Sequence, residues 1–290
     1  IPADAQKQLL RRSDRKGLVQ LGAHLGLLAL SAAALSQATQ GKWFIAPLLV
    51  YGIVLVFLFT PLHESIHLTA FKTRWINRAV SAVFGFLLLI PTQYFRIYHL
   101  AHHAHTQDID KDPELIGRKS FKGVARLWYI SGLPFWWGNI RTIFEHACAR
   151  VSESYLPARY HRKIIFEARI HAALYLILLL VSLVSGSHLL WWFWVLPALV
   201  GQPFLRLFLL AEHRGCDFSS NMLENSRTTY ASPVTNFLCW NMPFHAEHHY
   251  LPSVPFHALP ALHAFIGTRV KYRGDGYASV LGDILRQPDL

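Results

Sequence analysis

The sequence is short of charge. Asp, Glu, Lys and Arg make up 16% of its 290 residues against 52% hydrophobic residues, and the mean hydropathy is +0.25. That balance does not suit an ordinary soluble domain, so lipid-facing segments are the first expectation. Acidic residues are the scarcer sign, 17 against 28 basic, which leaves a net charge of +11. The basic residues flank apolar runs and form no dense tract, so they fit the positive-inside bias of a membrane protein and point away from nucleic acid as a partner. Cysteine is scarce too: Cys148, Cys216 and Cys239 form no C-x-x-C pair, which argues against a disulfide framework or a zinc ribbon. There is no internal repeat and no low-complexity tract.

What the chain has is apolar runs of bilayer length. Residues 17–37 and 43–62 are two such stretches, joined by a turn too short for a domain, and are expected to form an antiparallel hairpin. The first run lacks a small-residue cleavage pattern, so it is expected to be a retained helix. Arg11, Arg12, Arg15 and Lys16 precede it, whereas Lys42 is the only charge in the turn. The N-terminus is therefore placed in the cytoplasm, and the second span returns there. Residues 170–184 and 189–210 form a second hairpin, with Trp191, Trp192 and Trp194 at the outer interface and Pro197, Gly201 and Pro203 kinking the last span. Residues 79–91 are too short to cross comfortably, so a re-entrant or interfacial helix is expected there, with another interfacial segment over 121–140. Residues 211–290 hold no further span and form a cytoplasmic cap. The fold class is thus all-α integral membrane, one domain with four transmembrane helices in two hairpins, both termini on the cytoplasmic side.

Histidine is the anomaly. His63-Glu-Ser-Ile-His67, His99-Leu-Ala-His102-His103 and His245-Ala-Glu-His248-His249 are clustered, and an H-x-x-H-H pattern is expected well under once per chain at 17 histidines in 290. On a helix, i, i+3 and i+4 lie together, so each cluster can face one metal. All three clusters, and His213 after the last span, fall on one side of the proposed membrane. Nine imidazoles exceed the four to six ligands of one metal and imply two. Glu64, Glu212 and Glu247 sit inside or beside the clusters, where they could accept hydrogen bonds from ligand N–H groups or remain solvated. Arg206 lies seven residues before His213, either snorkelling toward headgroups or contacting the site or a substrate carboxylate.

These boxes, H-x-x-x-H, H-x-x-H-H and H-x-x-H-H, with Asn241-Met-Pro-Phe before the last and Pro252 and Pro255-Phe-His after it, resemble the integral-membrane fatty acid desaturases and hydroxylases. The resemblance implies two non-haem irons held by His63, His67, His99, His102, His103, His213, His245, His248 and His249. It also implies O2 as co-substrate and attack on an unactivated C–H bond of a lipid-like chain, most simply fatty acyl desaturation. Hydroxylation by a monooxygenase route, oxidative decarboxylation to a terminal alkene and carotenoid ring oxidation use the same boxes. Relatives of the acyl-CoA type carry an Asn four residues before the isolated histidine, an indirect ligand through water; Leu209 stands there instead. The chain has no C-x-x-C-H haem attachment, no iron–sulfur cysteine run and no G-x-G-x-x-G loop, so a separate electron donor of ferredoxin, rubredoxin or cytochrome b5 type is expected. The basic cytoplasmic face is a candidate dock for it.

Two other classes compete. His63-Glu64-Ser65-Ile66-His67 is also H-E-x-x-H, the zinc protease signature, but that reading leaves six clustered histidines unused and finds no Asp in a span as third ligand. A metal transporter would place its ligands near the bilayer midplane, whereas these lie at span ends. His24, His146, His161, His171, His188, His257 and His263 lack cluster spacing and are expected to be structural, and His105 falls off the shared face.

Overall fold

The computed structural model describes residues 1–38, 43–116 and 122–286. Lys42, Phe121 and the last four residues of the expected cap lie outside the described residues. In chain order the helices begin with α1 (Ala3–Leu9), α2 (Asp14–Ala38), α3 (Ile45–Val56), α4 (Phe59–Ile66), α5 (Arg74–Leu87) and α6 (Thr92–His105). They continue with α7 (Gly123–Ile130), α8 (Leu133–Ala147), α9 (Ala158–Ser185) and α10 (Leu196–His213), the last preceded by a π-helical turn at Trp191–Val195. The C-terminal part holds β1 (Arg227–Tyr230), α11 (Pro233–Leu238), α12 (His245–Tyr250), α13 (Leu259–Ile266), β2 (Tyr272–Asp275) and α14 (Tyr277–Arg286).

Four helices are long and apolar enough to cross a membrane: Asp14–Ala38, Ile45–Ile66, Ala158–Ser185 and Trp191–His213. The four expected runs are all there, with displaced ends. The third starts a dozen residues early, because backbone hydrogen bonding continues through the charged turn Arg159 to Arg169 that hydropathy discounts. The outer faces of α2 and α9 expose Leu18, Leu30, Leu176, Leu183 and Val184, the surface expected against hydrocarbon.

Local breaks moved the interfacial segments. Residues 79–91 are not one helix: α5 ends at Leu87, Leu89 turns left-handed at φ 60°, and Pro91 starts α6 at 101° to α5. Pro91 has no N–H for α5 to use, which fixes the corner. Residues 121–140 likewise divide between α7 and α8 at Gly132, whose φ of 72° favours glycine, followed by Pro134 in the first turn of α8.

The core contact is α3 against α10, while α9 packs chiefly on α8 and α6. Gly52 and Gly201 let the α3 and α10 backbones touch: a Cβ on Gly201 would sit 2.1 Å from the Gly52 carbonyl oxygen. That approach sets His63 of α4 and His213, the last residue of α10, in the wall of one cavity. A carboxylate on α9 orients α6. Glu167 accepts from the Thr92 and Gln93 backbone N–H groups at 3.0 and 2.7 Å and from the Thr92 hydroxyl at 2.7 Å. It thereby satisfies orphan donors at the α6 N-terminus with a negative charge.

Among the described residues the departure from helix is a two-stranded parallel sheet, β1 beside β2 in the register Arg227 to Tyr272. Residues 231–271 separate its strands, a pairing that local patterning cannot announce. The Arg227 guanidinium donates to the Ala211 and Arg214 carbonyls at the α10 C-terminus, where a cation complements the helix dipole. Thr229 N–H donates to the Pro243 carbonyl at 2.8 Å, just before α12. The sheet therefore ties the third histidine box to the end of α10.

Candidate metal centre

The nine clustered histidines meet, but not box by box. His63, His67, His99, His103 and His248 form one group whose facing nitrogens all lie within 4.8 Å of one another. His102, His213 and His249 form a second such group, and His245 joins it with Nε2 2.9 Å from His213 Nε2. Each H-x-x-H-H box is therefore split, correcting the expectation that a box faces one metal. Helix geometry accounts for the split: positions i and i+4 differ by 40° around the axis, while i+3 lies about 100° from i+4. In α6 the pair His99 and His103 faces one group and His102 the other. In α12 the pair His245 and His249 faces the second group and His248 the first.

The nitrogens are arranged as lone pairs aimed inward. His63 Nε2 lies 2.8 Å from His99 Nε2, His99 Nε2 2.9 Å from His103 Nε2, and His103 Nε2 3.1 Å from His248 Nε2. In the second group each outer nitrogen, Nδ1, has an oxygen beside it. His102 Nδ1 is 2.9 Å from Asp112 Oδ1, and His213 Nδ1 is 3.0 Å from the Asn225 carbonyl. His245 Nδ1 is 3.2 Å from Glu212 Oε1. His249 Nδ1 is 3.1 Å from Thr106 Oγ1, whose own proton goes to the His102 carbonyl at 2.8 Å, so the hydroxyl oxygen accepts there. At His102, His213 and His249, protons held at Nδ1 leave Nε2 as a bare donor to a cation. Burial, then neighbouring imidazoles, pushes His245, His248 and His249 well below the ordinary histidine value, so these rings stay neutral and able to ligate. Imidazole nitrogens that converge in two adjacent groups are a donor set that could hold two divalent metal ions.

The two groups differ in support. His63, His103 and His248 in the first group, but only His245 in the second, have no hydrogen-bond partner at Nδ1 among the described residues. The carboxylates that reach clustered histidines, Asp112, Glu212 and, at 3.9 Å from His102, Glu114, all serve the second group. Burial works to raise the Asp112 carboxyl, but the His102 contact and the Glu114 and Gln107 N–H groups outweigh it and hold it below the ordinary carboxylate value. Asp112 stands with Asp108, Asp110 and Glu114 in an acidic stretch after the second box. Its one signal was an acidic residue ten positions after a box histidine, too common a pattern to single out.

Of the other singled-out residues, Glu212 Oε1 lies 3.2 Å from His245 Nδ1, at ion-pair distance but without hydrogen-bond geometry. Glu64 and Glu247 do not touch the clustered histidines. Glu64 accepts from the Phe256 N–H at 2.9 Å. Glu247 accepts from Thr228 Oγ1 at 2.7 Å and pairs with His263 Nδ1 at 2.5 Å. Each directly adjoins a box histidine, so its side chain is turned about 100° away from the metal-facing side. These carboxylates instead clamp the C-terminal segment to α4, β1 and α13. The same orientation removes Glu64 from the general-base position of a zinc protease. His24 is structural, with Nε2 3.2 Å from the Val54 carbonyl while Nδ1 accepts from Trp240 Nε1 at 3.3 Å. His105 is exposed.

A cavity of about 220 Å³ opens against both groups, lined on its apolar side by Phe59, Phe95, Phe208, Leu209 and Met242. Leu209 thus faces the cavity with a side chain that cannot hold water for a metal. Arg206 is in the same wall, 7% exposed, with its Cζ 4.0 Å over the Phe135 ring.

Comparison with known proteins places the chain in a family. A family profile described as fatty acid desaturase matches residues 41–280. The sn-1 oleoyl-lipid 12-desaturase of Synechocystis sp. is 24% identical over 76% of this chain and 68% of its own length. The enzyme of the same name from Anabaena variabilis is 27% identical over 45% of this chain and 41% of its own. The sn-1 acyl-lipid omega-3 desaturase (ferredoxin) of Synechocystis sp. is 28% identical over 47% and 37%. The profile covers most of the chain, all three histidine boxes included, and the protein accordingly belongs to the fatty acid desaturase family of membrane oxidoreductases.

Proposed function

We propose that this chain is a membrane-bound di-iron oxidase that oxidises an unactivated C–H bond of a lipid-like chain, most simply by fatty acyl desaturation. The observation that carries the reading is the convergence of nine buried or half-buried imidazoles into two adjacent groups, four of them with Nδ1 beside an oxygen and Nε2 turned inward. His63, His67, His99, His103 and His248 would hold one iron, and His102, His213, His245 and His249 the other. When bound, the irons supply dioxygen activation, which the side chains here cannot. Desaturation of one –CH2–CH2– unit consumes one O2, two electrons and two protons and releases two waters. The chain's own residues exclude bulk water and hold the acyl chain: Phe59, Phe95, Phe208 and Leu209 form an apolar wall beside the histidines.

Hydroxylation, decarboxylation and carotenoid ring oxidation remain outcomes of the same centre, separated by where the substrate stops in the cavity. The electrons come from a ferredoxin-type donor, the kind named for one relative, with rubredoxin or cytochrome b5 types as alternatives. The site faces the cytoplasm on the positive-inside argument, across the inner membrane if the cell is bacterial. Salt-independent donor-supported turnover would count against docking on the basic face.

The test is purified protein loaded with iron and given reduced ferredoxin and O2, with lipid products followed by mass spectrometry. The expected result is two irons per chain and substrate-dependent O2 uptake, abolished by His248→Ala with the helical content retained. Activity in His248→Ala, or a zinc-dependent peptidase activity in its place, would overturn it.

A further inference from the structure

Arg206 is the buried charge that the proposed chemistry leaves unused. Its Nε and Nη2 have no hydrogen-bond partner among the described residues, although the side chain is 7% exposed. These two nitrogens lie on one edge of the guanidinium, the edge that grips a carboxylate through two parallel hydrogen bonds. The nearby carboxylates are turned elsewhere: Glu212 Oε1 is 3.2 Å from His245 Nδ1, and Glu114 Oε2 is 3.9 Å from His102 Nδ1. Glu114 and Glu212 line the same cavity and offset part of its charge, but two buried N–H donors left unmet are costly, so the position calls for an acceptor that enters with the substrate. Phe135, stacked on the guanidinium, holds its plane.

A second cavity of about 260 Å³ continues from the first. Phe95, Tyr98 and Phe135 line both, and beyond them lie Ile90, Pro91, Pro134 and Gly138. The first cavity offers histidines and a cation, the second mainly aromatic and aliphatic wall. Together they make a head-and-tail site.

We infer that the substrate is a free fatty acid bound head-first, its carboxylate on Arg206 Nε and Nη2 beside the two histidine groups and its alkyl tail running past Phe135 into the second cavity. The inference rests on the proposed function for the identity of the neighbouring centre. It departs from the relatives, whose names specify acyl lipids, in which the carboxyl is esterified. It also places the first carbons of the chain nearest the histidines.

Binding to metal-free protein in a non-ionic detergent at pH 8 tests this without turnover, using dodecanoate, methyl dodecanoate and dodecane as probes. The expected result is at least about tenfold tighter binding of dodecanoate than of its methyl ester, since a charge-assisted pair is lost. Arg206→Gln is expected to abolish that preference and Arg206→Lys to restore part of it. Equal affinity of wild-type protein for acid and ester overturns the inference, as does a preference that survives in Arg206→Gln. The wild-type series stands even if the variants do not fold. Failure of the iron and O2 experiment would overturn the proposed function and leave this binding result intact.

Discussion

His102 Nδ1 lies 2.9 Å from Asp112 Oδ1, and both side chains are buried. The pair is made by the turn that follows α6, which returns Asp112 to the helix it has just left. Its carboxylate also accepts the Gln107 and Glu114 N–H groups at 2.9 Å, so it is held independently of the histidine.

Asp112→Asn keeps the shape and removes the charge that orients His102. Loss of such a partner typically weakens a metal site 10–100-fold. Metal content after dialysis against a mild chelator is expected to fall from two toward one, with helical content unchanged. Full retention of both ions would show that Asp112 does not support the second group.

His102 and His103 are neighbours in sequence and belong to different groups. His102→Ala and His103→Ala are therefore expected to perturb different irons. With ⁵⁷Fe-loaded protein, each substitution should alter a different one of two Mössbauer components. The same component changing in both variants would contradict the split of the second box.

Gly201→Val drives a branched side chain into the Gly52 carbonyl, since even a Cβ would approach to 2.1 Å. Overpacking of this kind costs about 1–3 kcal/mol or more. A lower apparent unfolding midpoint is expected, together with reduced metal retention, because α10 carries His213. Gly22→Ala, where nothing lies within 4 Å of the added Cβ, serves as the control and should be close to neutral.

Burial, assisted by Lys16, pulls His257 down to about 4 from the ordinary 6.5. Between those values the unfolded chain binds a proton that the folded chain refuses, so this contribution to stability is complete above pH 6.5 and is lost as pH falls toward 4. His257→Phe is expected to raise the apparent unfolding midpoint relative to wild type at pH 5 and much less at pH 7.5. An identical difference at both pH values would remove His257 from the acid response.

The four long helices and the three boxes were legible because both are local. Bilayer thickness dictates a run length, and helix pitch dictates i, i+3, i+4 spacing, so neither needs a distant partner. Positions of Pro91 and Gly132 could be read as breaks only once the chain was seen to turn there. Only the tertiary structure decided how nine histidines divide five and four, because α4, α6, α10 and α12 approach from different directions. It also decided that Glu64 and Glu247 hold the C-terminal segment while Asp112 holds a histidine, and that Arg206 keeps a free edge in the cavity. A sequence determines which face of its own helix a side chain occupies. What waits on that face is supplied by chain tens to nearly two hundred residues away, and there the packing of α3 on α10 and the β1–β2 pairing had the decisive part.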